Sequence, residues 1–331
     1  MSEATRVSVV MPVLDRERYI RESVESILAT GYGNLEIVIV DDGSTDDTSR
    51  ILTELRSENP GVIRLLEHPG RRNIGCEPSV NRGLAAVIGE YVCFLDSDDL
   101  MLPHRFDTAV PLLDGDPELD GVVEVAEVLF EDEEDRRLWG DRPTRYGPRV
   151  DDIPPDRFLE AWLIERKCTL HTPNLLVRTR LFGKSGLHRT IGGLSEDHHL
   201  RLRMAACGRF AVGGIGRPIS RYRRHAGNLW NPDRWDSLRD LGVLRDVLGW
   251  ARRSPQVPPR NVAVLEEAYR RKARWCLSAL RVDRDRGALA RLALRLLAAD
   301  PGWALDRGFL ANLGRGLLVR PGAVGPDAGS G

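Results

Sequence analysis

Three carboxylates stand within four residues at Asp96-Ser97-Asp98-Asp99, directly after the apolar run Tyr91-Val92-Cys93-Phe94-Leu95. That run is too short for a typical helix and leans toward β-preferring side chains, so it reads as a buried strand that ends in acids. Carboxylates crowded at a strand end repel one another. A divalent cation between them relieves the repulsion, because Mg²⁺ and Mn²⁺ take oxygen ligands and share them between one or two carboxylates and substrate phosphates. The plainer alternative is an Asp-rich turn capping the next helix, since Asp also favours turns and N-caps. A second acidic cluster, Asp41-Asp42-Gly43-Ser44, follows the apolar run Leu35 to Val40.

The surrounding pattern predicts the elements that hold these acids. Val7 to Met11 is a β run stopped by Pro12, and Ile20, Val24, Ile27 and Leu28 have helical spacing. A second strand over Leu35 to Val40 leads to a helix start at Ser44 to Thr48, with Ile51, Leu52 and Leu55 on one face. Val62 to Leu66 is a short third strand, and a loop and helix over Asn73 to Ile88 feed Tyr91 to Leu95. The order β-α-β-α-β-α-β implies an α/β fold with a mainly parallel sheet and helices on both faces. Ligands in such folds bind at the carboxyl ends of the strands, where both acidic clusters fall. Pro12-Val13-Leu14-Asp15 stands where a dinucleotide-binding Gly-rich turn would be needed, and no Gly-x-x-x-x-Gly-Lys-Ser/Thr loop is present. If phosphates bind, a cation at Asp96 to Asp99 is the available means of neutralising them.

With 331 residues, 42% hydrophobic and 29% charged, the chain can bury a full core as one large domain or two. Met1 to Arg6 is polar and Val7 to Leu14 is followed at once by Asp15-Arg16-Glu17-Arg18, so no signal peptide is expected. No stretch approaches about 18 uninterrupted apolar residues, the length that spans a membrane. The five cysteines lack metal-ligand spacing and are odd in number, which suits reduced thiols in a cytoplasmic protein. Residues 1–199 hold 23 basic and 38 acidic side chains and residues 200–331 hold 25 and 11, so the two parts carry −15 and +14. That asymmetry suggests a basic surface for anionic lipid, phosphate or an acidic partner, with peripheral attachment to the inner face of the membrane as one consequence. Nucleic acid is not expected as a partner.

Taken in order, these stretches resemble the family 2 glycosyltransferases of the GT-A fold. The likeness lies in Val7-Ser8-Val9-Val10-Met11-Pro12, Tyr19-Ile20, Ser23-Val24-x-Ser26-Ile27-Leu28 and Glu36-Ile37-Val38-Ile39-Val40-Asp41-Asp42-Gly43-Ser44-Thr45-Asp46. It continues in Asn73-x-Gly75, Asn81-x-Gly83-Leu84 and Gly89-Glu90-Tyr91 leading to Leu95-Asp96-Ser97-Asp98-Asp99. The resemblance is tight over roughly the first 110 residues. It implies an inverting transferase that moves a sugar from a nucleotide diphosphate sugar, usually a uridine one, to an acceptor hydroxyl with Mn²⁺ or Mg²⁺. Pro12, Asp41, Asp42 and Asn73 would lie along the nucleotide, Asp96 and Asp98 would form the DXD element, and Asp98 would be the direct metal ligand. Val13-Leu14-Asp15 departs from the aromatic residue and Asn that many members carry beside the base.

A second match begins at Asn174-Leu175-Leu176-Val177-Arg178, passes Leu181-Phe182-x-Lys184-x-Gly186 and reaches Ser195-Glu196-Asp197-His198-His199-Leu200. By the resemblance, an Asp in the Glu196-Asp197 pair takes the proton from the acceptor hydroxyl. A carboxylate there also suits a helix N-terminus on structural grounds alone. Ser220 to Asn228 resembles the family's Tyr-Arg-x-His segment, which implies that His225 completes the metal shell or touches the diphosphate; imidazole suits Mn²⁺ better than Mg²⁺, and Arg223 and Arg224 are candidates for contact with phosphate oxygens. His198 and His199 face different ways on a helix and are not expected to share a metal. Glu131-Asp132-Glu133-Glu134-Asp135 reads as a solvated acidic loop.

The domain reading is a catalytic unit over 1–230, with a nucleotide-sugar half to about residue 110 and an acceptor half from about 160. A helical region over 231–320 and a disordered Gly/Pro/Ala-rich tail over 321–331 follow. Leu289, Leu292, Leu296 and Leu297 beside Arg291 and Arg295 form an amphipathic stripe that either packs on the domain or faces lipid, with a homodimer interface as a further use. Two other readings stay open. A sugar nucleotidylyltransferase would need a Gly-rich basic loop after the first strand, and an inactive sugar-nucleotide-binding protein would have no use for Asp98 and Asp197. The acceptor, whether glycan, lipid-linked sugar or small molecule, is not specified by donor-site motifs.

Overall fold

The structure is a computed structural model describing residues 4–189, 196–225, 228, 237–282 and 285–317. Ser195 and the 321–331 tail lie outside the described residues. The chain opens with β1 (Val7–Val13), α1 (Ile20–Leu28), β2 (Leu35–Asp41), α2 (Thr48–Glu58), β3 (Ile63–Glu67), α3 (Cys76–Leu84) and β4 (Tyr91–Phe94). This is the expected alternation. There follow β5 (Leu100–Met101), α4 (Ala109–Gly115), β6 (Gly121–Val123), β7 (Ala126–Phe130), α5 (Glu133–Trp139), β8 (Arg145–Tyr146), α6 (Phe158–Leu163) and β9 (Leu175–Arg178). Next come α7 (Leu181–Ser185), α8 (Glu196–Cys207), β10 (Phe210–Val212) and β11 (Ser220–Arg224). The last described elements are α9 (Ser237–Ala251), α10 (Pro259–Val282), α11 (Arg286–Ala299) and α12 (Arg307–Leu317).

Among the described residues the main sheet has the strand order β10-β6-β9-β4-β1-β2-β3. β3, β2, β1 and β4 are parallel neighbours, and β9 runs antiparallel between β4 and β6. Val10 of β1 lies beside both Val38 of β2 and Phe94 of β4, so these strands end level with one another. That register brings Pro12, Asp41 and Asp96 to one edge. Both faces are covered, which is why the strands are near-continuous Val/Ile runs and not alternating ones. One face packs Val9, Met11, Ile37 and Ile39 against Ile20, Val24, Leu52 and Leu113, and the other packs Val10, Val92 and Phe94 against α3 and the helices that follow β7.

A second sheet, ordered β5-β11-β7-β8, stands at that edge. β11 runs parallel to β7 and antiparallel to β5, and carries the 222–225 segment toward Asp98 and Asp99. The acidic stretch beneath it is solvated at Asp132, Glu133 and Glu134, as expected, but it starts a helix and is not a loop. Asp132 accepts a hydrogen bond from the Asp135 amide at 2.8 Å and caps α5, while Glu131 turns inward to Tyr19 Oη at 3.2 Å and Arg18 at 3.4 Å.

The amphipathic stripe packs on the protein. Leu289 and Leu296 are buried, Leu292 and Leu297 are half-buried against the same cluster, and Arg291 and Arg295 are exposed. That cluster joins Val247, Leu265, Ala273 and Phe309 to Leu200, Leu202 and Met204 of α8 and Phe158 of α6. Asn261 Nδ2 ties α10 to the carbonyl of Ala206 at 2.9 Å. Among the described residues no helix is long and apolar enough to cross a membrane.

Candidate active site

The two acids that end β2 hold loops together. Asp41 is buried and accepts from the Ser44 amide at 2.8 Å and from Ser49 Oγ. Asp42 accepts from the amides of Ile74 and Gly75, each at 2.9 Å. Gly43 lies between the two loops with φ of +88°, and a Cβ there would meet the Arg71 carbonyl at 2.6 Å and the Asn73 amide at 2.9 Å. Only glycine satisfies both demands. Pro12, Asp42 and Asn73 line a cavity of about 730 Å³ at the carboxyl edge of the sheet, and Asp41 stands behind Asp42.

The acids after β4 divide their tasks. Asp96 opens onto the cavity, where enclosure by protein and then the charges of Asp98 and Asp197 push its carboxyl up to about 7. Asp98 also lines the cavity, with Oδ2 at 3.2 Å from His225 Nε2 and 3.2 Å from Arg16 Nε. Asp99 is fully buried and accepts from the Arg223 amide at 2.9 Å through Oδ1, while Oδ2 has no hydrogen-bond partner among the described residues. Burial and the neighbouring Asp96 and Asp98 raise its carboxyl well above the ordinary range.

The 222–225 segment is held from below. The His225 ring stacks on Tyr19 with centroids 4.6 Å apart. Arg223 donates to the Asp98 carbonyl at 2.9 Å and to Glu22 at 2.6 Å, and its guanidinium lies 5.4 Å from the Tyr19 ring centroid. With those partners Arg223 is outside the cavity lining, and it positions the acidic turn where the sequence suggested phosphate.

The donor set suits a divalent cation. Asp98 and His225 offer one carboxylate and one imidazole, a pair that Mn²⁺ accepts, and the crowded, raised carboxyls of Asp96 and Asp99 are what a cation would relieve. Among the described residues no group of three or more His, Cys, Asp or Glu converges as a complete shell. The remaining positions would belong to phosphate oxygens and water.

Asp197 enters from the first turn of α8, with its side chain 49% exposed and lining the same cavity as Asp96 and Asp98. The side chain of Glu196 lies outside the described residues. Enclosure pushes the Asp197 carboxyl up, but Arg201 at 3.1 Å, with His198, His188 and His171 behind it, outweighs that. The net effect holds it below its ordinary value. It is therefore ionised at neutral pH. Arg201 sits at i+4 from Asp197, a spacing visible in the sequence but not exploited there. His198 makes an edge contact with Trp162 at 5.7 Å, and burial, then Arg201, lowers it to about 3, so it is a neutral ring beside the carboxylate. Arg16, Trp162 and Tyr146 carry no sequence signal of their own, and Tyr19 is marked there only as part of the Tyr19-Ile20 match.

Residues 8–167 match the family model described as glycosyl transferase family 2. An uncharacterized glycosyltransferase of Nostoc sp. is 32% identical over 145 residues, covering 44% of this chain and 42% of that protein. The chain thus spans less than half the length of that relative. Staphylococcus aureus TarS (residues 1–349) in complex with UDP-GlcNAc superposes with a TM-score of 0.59 at 17% identity, over 96% of this chain and 82% of that one. The mannosyltransferase PcManGT from Pyrobaculum calidifontis, in complex with GDP-Man and Mn²⁺, gives a TM-score of 0.55 at 20% identity, over 97% and 89%. Residues 8–167 of this chain are thus similar to glycosyl transferase family 2, and its fold is of the GT-A type.

Proposed function

We propose that the protein transfers a hexose from a nucleotide diphosphate sugar, with a uridine nucleotide as the first choice, to an acceptor hydroxyl with inversion at the anomeric carbon. One observation carries this reading. Asp98, at the end of β4, and Asp197, on α8, line one cavity, so a leaving group and an attacking group can be served in the same space. A bound Mn²⁺ or Mg²⁺ supplies positive charge to the departing diphosphate. Asp98 and His225 would hold it, with Asp96 beside them. Pro12, Asp42 and Asn73 border the nucleotide, and Asp41 keeps that wall in place from behind. Asp197 accepts the acceptor's proton as the new oxygen–carbon bond forms and the bond from the anomeric carbon to the phosphate oxygen breaks. A single displacement leaves the configuration inverted.

In this reading residues 1–230 are the catalytic unit, and 231–320 buttress the helix that carries the base. The cysteines form no disulfide among the described residues, which favours a reducing compartment such as the cytoplasm. Calorimetric titration with UDP-, GDP- and dTDP-sugars, each with Mn²⁺, Mg²⁺ or EDTA, tests the donor. Cation-dependent binding of at least one of these, followed by slow release of free sugar, supports the proposal, whereas no nucleotide binding under any condition overturns it.

A further inference from the structure

The cavity has two chemically distinct ends. Toward β1 and β4 it is bordered by Asp15, Arg16, Asp42, Asp96 and Asp98. Around Asp197 the wall changes to Tyr146, Trp162 and His171, backed by Leu170 and Trp139, while Tyr222 lies toward Asp96 and Asp99. These rings form two supported groups. Tyr146 lies 4.2 Å from His171 and 6.4 Å from the buried Trp139, centroid to centroid, while Trp162 meets His198 edge-on. Half-buried aromatic rings on a cavity wall present flat apolar surface that water covers poorly.

Charge at this end is already matched. Asp197 pairs with Arg201 at 3.1 Å, Asp240 pairs with Lys272 at 3.0 Å, and Arg224 lies 5.2 Å from the Trp139 ring centroid. Burial lowers His171 and His198 to about 3, so both are neutral at ordinary pH, and it pushes the Tyr146 phenol up to about 12. An anionic acceptor would meet the Asp197 carboxylate with no unmatched cation among the described residues of this wall. A ring with an uncharged apolar face would meet complementary surface.

Resting on the transfer reaction above, we propose that the acceptor is an uncharged, hydroxyl-bearing small molecule that lays a flat apolar ring face on Tyr146, Trp162 and His171. The ring is either the C–H face of a neutral sugar or an aryl group. Its hydroxyl attacks the anomeric carbon, its proton passes to Asp197, and the nucleoside diphosphate leaves.

The test uses the full chain with UDP and Mn²⁺, titrated with methyl β-glucoside, 4-methylumbelliferone and glucose 6-phosphate and followed by saturation-transfer NMR. Binding of the glucoside identifies a sugar face, and binding of the coumarin identifies an aryl face. Either supports the proposal if glucose 6-phosphate binds at least tenfold more weakly than the better neutral probe. Trp162→Ala should weaken that probe about tenfold and Trp162→Phe should retain it, while the affinity for UDP changes less than twofold in both. Preference for glucose 6-phosphate, or no binding of either neutral probe by protein that binds UDP, overturns the proposal. So does unchanged affinity for the better neutral probe in Trp162→Ala protein that still binds UDP. Failure to bind any nucleotide would instead remove the transferase reading beneath it.

Discussion

Arg16 donates from Nε to Asp98 Oδ2 at 3.2 Å, so a guanidinium holds the carboxylate oxygen that a divalent cation would need. Arg16 comes from the loop after β1 and Asp98 from the turn after β4, and the parallel register of those strands brings the two together. The pair is partly buried, with side chains 21% and 10% exposed, and such pairs are screened less than exposed ones. On the proposed function, Arg16 and a divalent cation would compete for Asp98 in the nucleotide-free protein. Arg16→Gln should tighten Mn²⁺ binding without nucleotide by about 3- to 10-fold, the equivalent of roughly 1 kcal/mol. Electron paramagnetic resonance titration of free Mn²⁺ measures this directly. Unchanged or weaker Mn²⁺ binding in the variant would show that Arg16 does not compete.

Asp98→Asn removes the charge that both His225 and the cation would share. Turnover should be lost, and nucleotide affinity should fall about tenfold or more with Mn²⁺ present while changing little in EDTA. Comparing the four conditions by calorimetry separates a metal ligand from a loop-holding residue. Full activity in EDTA would refute cation dependence itself.

Asp197→Asn should leave donor affinity intact and lower kcat by about 10² to 10⁴. The pH profile adds a second check, because Arg201 is the main group that holds the Asp197 carboxyl down against the effect of its enclosure. Removing the guanidinium in Arg201→Gln lets the carboxyl rise, so it becomes protonated at higher pH and the acidic limb of kcat/KM moves upward. An acidic limb that stays in place would assign the proton to another group.

Much of this arrangement was legible because its signals are local. Strand runs ending in Pro12, Asp41 and Asp96 gave the sheet edge, and helical spacing gave α1, α2 and the C-terminal helices. Contacts between distant segments were not legible. That Arg223 clamps Asp98 and Glu22, and does not face the cavity, depends on β11 crossing beside β7 more than 100 residues from the acidic turn. Glu131 looked like part of a solvated run because its neighbours are charged. Its carboxylate instead meets Tyr19 and Arg18, just before α1 and more than 100 residues away in the chain. The stripe at Leu289 to Leu297 was ambiguous for a related reason. Periodicity shows that a helix has an apolar face, but only packing shows what covers it.

The covering of that stripe yields the last prediction. Leu265 of α10 is fully buried in the cluster that includes Leu200, Leu202 and Met204 of α8, the helix whose first turn carries Asp197. Leu265→Ala should therefore cost about 2–5 kcal/mol by the loss of buried surface and the cavity left behind, whereas Leu294→Ala, at a site 68% exposed, should stay within about 0.5 kcal/mol. Denaturant titration measures both. If the C-terminal helices were a separately folding attachment, Leu265→Ala would melt them alone and produce a second transition with the nucleotide-binding signal intact. A shared core requires one transition, with loss of nucleotide binding and loss of helix at the same denaturant concentration.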